Sequence, residues 1–142
     1  MDRISPKEAQ ALFAAGWTYV DVRTEQEYEQ GHPTGSLNVP LMVAAGSGKA
    51  HNPDFLPALE ALFEKDAKLV LGCAGGVRSA RAAQLLEGAG FTQVKENRAG
   101  YAGARDASGA VTEAGWADAG LPNETGNSPD RSWAALVKRL ST

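Results

Sequence analysis

The chain is poor in the residues that form disulfides or hold metals. Its 142 residues include one cysteine and two histidines. A single cysteine excludes an intramolecular disulfide and any zinc or iron–sulfur site built from several cysteines. We therefore expect no resident metal and no other cofactor, and the low cysteine content favours a reducing compartment, for which we predict the cytoplasm.

Positive charge and long apolar runs are scarce as well. Lys and Arg number 14 against 17 Asp and Glu, a net charge of −3, which excludes a general polyanion binder, so we expect no nucleic-acid partner. No apolar run approaches the ~20 residues that span a bilayer, and no signal-peptide pattern opens the sequence, so we expect no membrane partner. A signal peptide removed beforehand would leave no trace here.

Apolar and β-branched strands alternate with amphipathic helices along the chain. Strands are predicted at 17–22, 36–40, 68–73 and 92–97, and helices at 5–16, 24–31, 54–65, 78–87 and 128–140. This alternation predicts one α/β domain over 1–142 with a largely parallel sheet.

Two stretches of small and polar residues, 42–52 and 97–115, are predicted as loops. Within the second stretch, the excess residues Tyr101 to Glu113 form either a flap that carries Arg98 and Arg105 toward the cysteine or a surface loop. We favour the surface loop because long insertions cost little free energy.

The single cysteine lies in the stretch LVLGCAGGVRS, residues 69–79. It ends a predicted strand, and a helix begins near Arg78, so backbone N–H groups and the helix N-terminus favour an anion there. Gly75 and Gly76 are predicted to supply the left-handed dihedrals of the turn. Most lone cysteines are inert buried residues. This positive environment instead favours a reactive thiolate at Cys73.

Three segments of the chain resemble the rhodanese family. They are DVRTEQEYEQGHPTGSLNVP (21–40), CAGGVRSARAA (73–83) and GWADAGLP (115–122). The resemblance covers about 1–122 and leaves 123–142 as a C-terminal helical extension. It implies a three-layer α/β fold, in which helices flank a central, mainly parallel five-stranded sheet, and transfer of sulfane sulfur through a cysteine persulfide.

The resemblance also implies roles for the cysteine loop. Cys73 resembles the sulfur-accepting nucleophile and Arg78 the anion-binding side chain, and the cradle of N–H groups is formed by Ala74, Gly75, Gly76, Val77, Arg78 and Ser79. The implied donor is a small anion such as thiosulfate, and the implied acceptor is cyanide or a thiol, with a protein acceptor left open. Because the chain has no second cysteine, an external acceptor must discharge the persulfide.

The upstream motif is interpreted as structural. Asp21 and Arg23 face the same side of a strand and, with Glu27, predict an ion-pair network. His32 is expected to fix a turn through hydrogen bonds, and His51 to be solvated in a polar loop. Neither histidine forms a convincing pair with Cys73 by sequence.

Two alternative functions remain at this point. Tyrosine and dual-specificity phosphatases also place an arginine at the end of a cysteine loop, but with five intervening residues where this chain has the four residues AGGV. The shorter ring of donors suits a sulfur atom better than a phosphate. The other alternative is a non-catalytic rhodanese module for binding or regulation, against which the presence of Cys73 counts.

Overall fold

The computed structural model describes residues 1–141, and a five-stranded parallel sheet forms its centre. The helices are α1 (Pro6–Ala14), α2 (Glu25–Gln30), α3 (Phe55–Leu62), α4 (Val77–Gly88) and α5 (Trp133–Leu140). The strands are β1 (Asp2–Ile4), β2 (Thr18–Asp21), β3 (His32–Pro33), β4 (Leu37–Asn38), β5 (Met42–Ala45), β6 (Gly48–His51), β7 (Lys68–Gly72), β8 (Gln93–Asn97), β9 (Ala104–Arg105), β10 (Val111–Glu113) and β11 (Asn123–Glu124). The sheet order is β1-β8-β7-β2-β4 with every pairing parallel. The predicted α/β class is confirmed.

Each face of the sheet carries its own apolar core. On β7, Leu69 and Leu71 belong to the larger core, which includes buried residues of α3, α4 and α5. Val70 belongs to the smaller core on the other face, with Tyr19 and residues of α1. This alternation follows the two-residue period of a strand, and it produces three layers with β7 in the middle. Cys73 continues the Leu69 and Leu71 face into the larger core.

The parallel register brings the carboxyl ends of three central strands to one edge. Asp21 pairs with Gly72, and Glu96 pairs with Leu71. Cys73 therefore emerges between the ends of β2 and β8. This is the edge at which open α/β sheets bind ligands.

Several segments differ from the secondary structure predicted by sequence, among them the short paired strands β3 and β11. Strand β1 was not predicted and pairs with β8 at the sheet edge. The predicted loop 42–52 is instead a hairpin of β5 and β6 that turns at Gly46, which has a φ of +59°. Its strands are short and largely exposed, so they lack the apolar alternation by which strands are recognised. The segment 97–115 contains the hairpin of β9 and β10.

The C-terminal extension packs onto the same sheet domain. Trp133 and Leu136 of α5 are buried in the larger core, while Val137 and Leu140 are partly exposed. Strand β11 pairs antiparallel with β3. Thr142 lies outside the described residues. None of the helices within residues 1–141 has the length and apolar character needed to cross a bilayer.

An ion pair joins the first turn of α4 to α2. The Arg78 guanidinium donates to both carboxylate oxygens of Glu27 at 2.6 and 2.9 Å, and Glu27 also closes a capping box with Thr24. Burial alone would raise the pKa of Glu27, but the hydrogen bonds from Arg78 and Thr24 outweigh it and lower the pKa to about 2.

We predict that Leu69→Ala lowers the free energy of unfolding by about 2–5 kcal/mol, because it leaves a cavity in the larger core. Leu69 is fully buried. The matched control is Leu85→Ala on α4, where the side chain is 37% exposed and the change is expected to stay within about 0.5 kcal/mol. Urea denaturation measures both values. Equal losses in the two variants would contradict this description of the core.

A second prediction concerns acid stability. Because the pKa of Glu27 is lowered, its contribution to the stability of the fold is complete above the ordinary glutamate pKa of 4.5 and is lost as the pH falls toward about 2. Glu27→Gln is therefore expected to unfold about 1–3 kcal/mol more easily at neutral pH, and the gap from the wild type should close across that acid window. Glu25→Gln, which changes an exposed carboxylate on α2, serves as the control. Stability curves for Glu27→Gln and wild type that run parallel down to acid pH would contradict the pairing.

Candidate active site

Cys73 lies at the end of the central strand β7, directly before the turn into α4. The residue is only 2% exposed. Its Sγ accepts a hydrogen bond from the Gly76 N–H at 3.1 Å and lies 3.3 Å from the Ser79 Oγ. The N–H groups of the first turn of α4 have no acceptor within the helix, so the thiol lies at the positive end of a twelve-residue helix.

The turn depends on Gly76. This residue caps α4 with a φ of +93°, and a Cβ there would lie 2.2 Å from the Arg98 carbonyl oxygen and 2.9 Å from Arg3 Nη2. Both the left-handed dihedral and the lack of space require glycine. The prediction that Gly75 is also left-handed is wrong, because the positive dihedral within the loop belongs to Gly76. A Cβ at Gly75 would make only an ordinary contact, at 3.4 Å from the Gly103 carbonyl oxygen.

Ser79 connects the thiol to a carboxylate that sequence analysis missed. The Ser79 hydroxyl donates to Glu96 Oε1 at 2.5 Å, and both residues are fully buried. Glu96 Oε2 accepts from Arg3 Nε at 2.7 Å, and Arg3 Nη2 donates to the Gly76 carbonyl at 3.0 Å. One signal was available for Glu96, since in a strand it shares the face of the buried Val94. Arg3 gave none, because β1 was not predicted.

Arg78 is engaged by Glu27 rather than free. The bidentate pair raises the pKa of Arg78, chiefly through the hydrogen bonds with the Glu27 carboxylate. The geometry therefore assigns Arg78 a structural contact between α4 and α2. Its role as an anion-binding side chain stays a prediction.

The upstream motif forms the structural pair predicted, except at Glu27. Arg23 donates to Asp21 Oδ2 at 2.7 Å and to the Gly31 carbonyl at 2.6 Å, and its guanidinium lies 4.4 Å from the centre of the Tyr101 ring. Burial would lower the pKa of Arg23, but the Asp21 carboxylate outweighs it and raises it. Glu27, predicted to join this network, has its hydrogen bonds with Thr24 and Arg78 instead.

The two histidines lie on different strands, His32 on β3 and His51 on β6. The His32 ring stacks on Tyr28 at 3.6 Å between ring centres, and its nitrogens lie 2.6 Å from the Tyr28 carbonyl and 3.0 Å from Glu124 Oε1. It thus fixes the turn after α2, as predicted. His51 is exposed on β6 rather than in a loop.

The segment 97–115 is hydrogen-bonded to the cysteine loop near Tyr101 and continues into the exposed hairpin of β9 and β10, which lies at the surface as favoured. The Tyr101 N–H donates to the Cys73 carbonyl at 2.7 Å, and the Ala102 N–H donates to the Ala74 carbonyl at 2.9 Å. The segment and the outer side of the loop border a cleft of about 690 Å³, whose lining includes Arg3, Gly75, Gly76, Val77, Arg98 and Arg105. The sequence did not reveal this attachment, because it consists of backbone hydrogen bonds.

Comparisons with known proteins show which sequences this chain is similar to. Thiosulfate sulfurtransferase 16, chloroplastic, from Arabidopsis thaliana is 39% identical over 121 residues, which cover 85% of this chain and 91% of that protein. Rhodanese-like domain-containing protein 15, chloroplastic, from the same plant is 42% identical over 93 residues, covering 66% of this chain and 51% of that protein. Two chloroplastic relatives do not favour the predicted cytoplasmic location.

A solved structure and a family model identify the family of this chain. The crystal structure of Rv0390 from M. tuberculosis matches with a TM-score of 0.72 and 29% identity, covering 89% of this chain and 98% of that one. A sequence model of the rhodanese-like domain matches residues 5–107, a range that includes Cys73 and its loop. The chain therefore belongs to the rhodanese-like domain family.

Proposed function

We propose that the protein is a sulfurtransferase that carries sulfane sulfur on Cys73. The observation that carries this proposal is the position of Sγ, which accepts from the Gly76 N–H at the beginning of α4. A sulfur atom added to Sγ would bear negative charge, and the N–H groups of this turn stabilise such charge. The relatives named as thiosulfate sulfurtransferases support the same chemistry.

The reaction has two displacement steps. The Cys73 thiolate attacks the outer sulfur of thiosulfate, the S–S bond of the donor breaks, and sulfite leaves with the bonding electron pair. The product is a Cys73 persulfide. A thiolate or cyanide then attacks the outer persulfide sulfur and releases the Cys73 thiolate. Because the chain has one cysteine, no internal thiol competes with the external acceptor.

The loop length counts against a phosphatase. Four residues separate Cys73 from Arg78, and Arg78 is engaged by Glu27. A phosphatase needs a wider ring of donors for a tetrahedral phosphate and an arginine directed into that ring. The presence of Cys73 at the N-terminus of α4 counts against a binding module without catalysis.

We predict that incubation with thiosulfate adds one sulfur atom to the protein and that cyanide removes it. The Cys73→Ser variant should take up none, because its hydroxyl is a far weaker nucleophile, while its circular dichroism and melting temperature stay close to wild type. Intact-protein mass spectrometry measures the adduct, and a parallel assay with an aryl phosphate tests the phosphatase. Uptake of sulfur by Cys73→Ser would refute the nucleophile. Phosphate release without a sulfur adduct would favour the phosphatase. If neither a sulfur adduct nor free phosphate forms, the binding module is favoured.

A matched pair of variants tests whether the charge of Arg78 attracts the anionic sulfur donor. If its charge also attracts the donor, Arg78→Ala should raise the thiosulfate concentration for half-maximal persulfide formation by about tenfold, or about 1.4 kcal/mol. Glu27→Gln breaks the same ion pair but leaves the charge, so this concentration should not rise. An equal rise in both variants would mean that the ion pair only holds α4 against α2.

A further inference from the structure

A continuous set of buried hydrogen bonds leads from the thiol to the first strand. Cys73 Sγ lies 3.3 Å from Ser79 Oγ, Ser79 Oγ lies 2.5 Å from Glu96 Oε1, and Glu96 Oε2 lies 2.7 Å from Arg3 Nε. Cys73, Ser79 and Glu96 are buried, whereas the Arg3 side chain is 49% exposed. The proposed displacement steps require a thiolate at Cys73, so another group must accept the thiol proton.

The proton on Ser79 determines the arrangement in the resting state. A serine hydroxyl has one proton to donate, and the Ser79 hydroxyl donates it to Glu96 Oε1. Ser79 therefore presents a lone pair to Sγ and accepts from the thiol S–H. The Gly76 N–H donates to the same sulfur. In this arrangement the negative charge is on Glu96, beside Arg3.

A second arrangement uses the same atoms with both protons moved. The thiol proton passes to Ser79 Oγ while the Ser79 proton passes to Glu96 Oε1. Ser79 now donates to a thiolate, and the neutral Glu96 carboxyl donates to Ser79. No atom or charge is gained or lost, because the negative charge moves from Glu96 to Sγ, where the Gly76 N–H and the start of α4 stabilise it.

We propose that Glu96 is the proton acceptor for Cys73, acting through the Ser79 hydroxyl, so that the thiolate forms without a histidine or an external base. The inference rests on the proposed function only in taking Cys73 as the nucleophile. Ser79 touches the reacting sulfur, whereas Glu96 acts through Ser79 and is a positioning residue that also holds the proton. Arg3 orients the Glu96 carboxylate and, through the Gly76 carbonyl, holds the loop beside it.

The other charged and titratable groups around the relay belong to four elements and to the segment after β8. They are Tyr19 and Asp21 with its partner Arg23 near the end of β2, Arg3 on β1, Arg78 with its partner Glu27 on α4 and α2, and Arg98 after β8. Burial raises the pKa of Tyr19, so that phenol stays neutral. Asp21, Arg23, Arg78 and Glu27 are held in ion pairs. Glu96 is the carboxylate connected to the thiol through a hydroxyl.

Two groups that share a proton titrate as a pair, which provides the test. The rate at which iodoacetamide alkylates the wild-type thiol should rise with pH in two separate steps, because Glu96 and Cys73 share a proton through Ser79 and lose their protons as a coupled pair. Glu96→Gln removes one of these protons, so its thiol should show a single step. Ser79→Ala disconnects the two groups and should also show a single step. Intact mass measures alkylation of the one cysteine at each pH.

Glu113→Gln is the matched control. Glu113 pairs with Arg98 beside the same loop but is outside the relay, so its variant should keep both steps. A single step in the wild type, or two steps retained in Glu96→Gln, would overturn the relay. A rate lowered equally at every pH in Glu96→Gln would also overturn it, because that result is expected if Glu96 only supports the loop. If Glu96→Gln does not fold, the alkylation profiles of the wild type and Ser79→Ala still test the relay.

The alkylation profile does not depend on sulfur transfer. A two-step profile that becomes one step in Glu96→Gln supports the relay even if thiosulfate adds no sulfur to the wild type, in which case the proposed function fails and the relay stands. If the wild type takes up sulfur but its alkylation profile shows a single step, the proposed function stands and the relay fails.

Discussion

The close approach of the Arg98 carbonyl and the Arg3 side chain to Gly76 is the constraint on which the candidate site depends. The Arg98 carbonyl and the Arg3 guanidinium leave no room for a Cβ at this position, and the backbone is left-handed there. A side chain at this residue would displace either the segment after β8 or the first strand. The same residue ends the turn, begins α4 and donates its N–H to the thiol.

This junction explains why distant parts of the chain belong to one site. Strand β1 supplies Arg3, β8 supplies Glu96, and α4 supplies Ser79, all at the carboxyl edge of the sheet. The segment after β8 is attached to the loop through the carbonyls of Cys73 and Ala74. Parallel pairing makes this convergence possible, because every strand of the sheet ends on the same side.

The charges around the loop are largely balanced within the protein. Arg3 is paired with Glu96 and Arg78 with Glu27, so much of the positive field at the sulfur comes from backbone N–H groups and the helix end. Such groups are fixed by the fold and do not titrate.

The sequence by itself determined the α/β class, the central strand and the helix after Cys73, because these follow from local patterns within a few residues. It also identified the cysteine loop by its composition. Only the tertiary structure decided the contacts between these parts. Glu27 forms an ion pair with Arg78, the segment 97–115 forms hydrogen bonds with the backbone of the cysteine loop, and Glu96 accepts a hydrogen bond from Ser79. These contacts join residues far apart in the chain, and the parallel register that brings them together is set by how both faces of the sheet are buried.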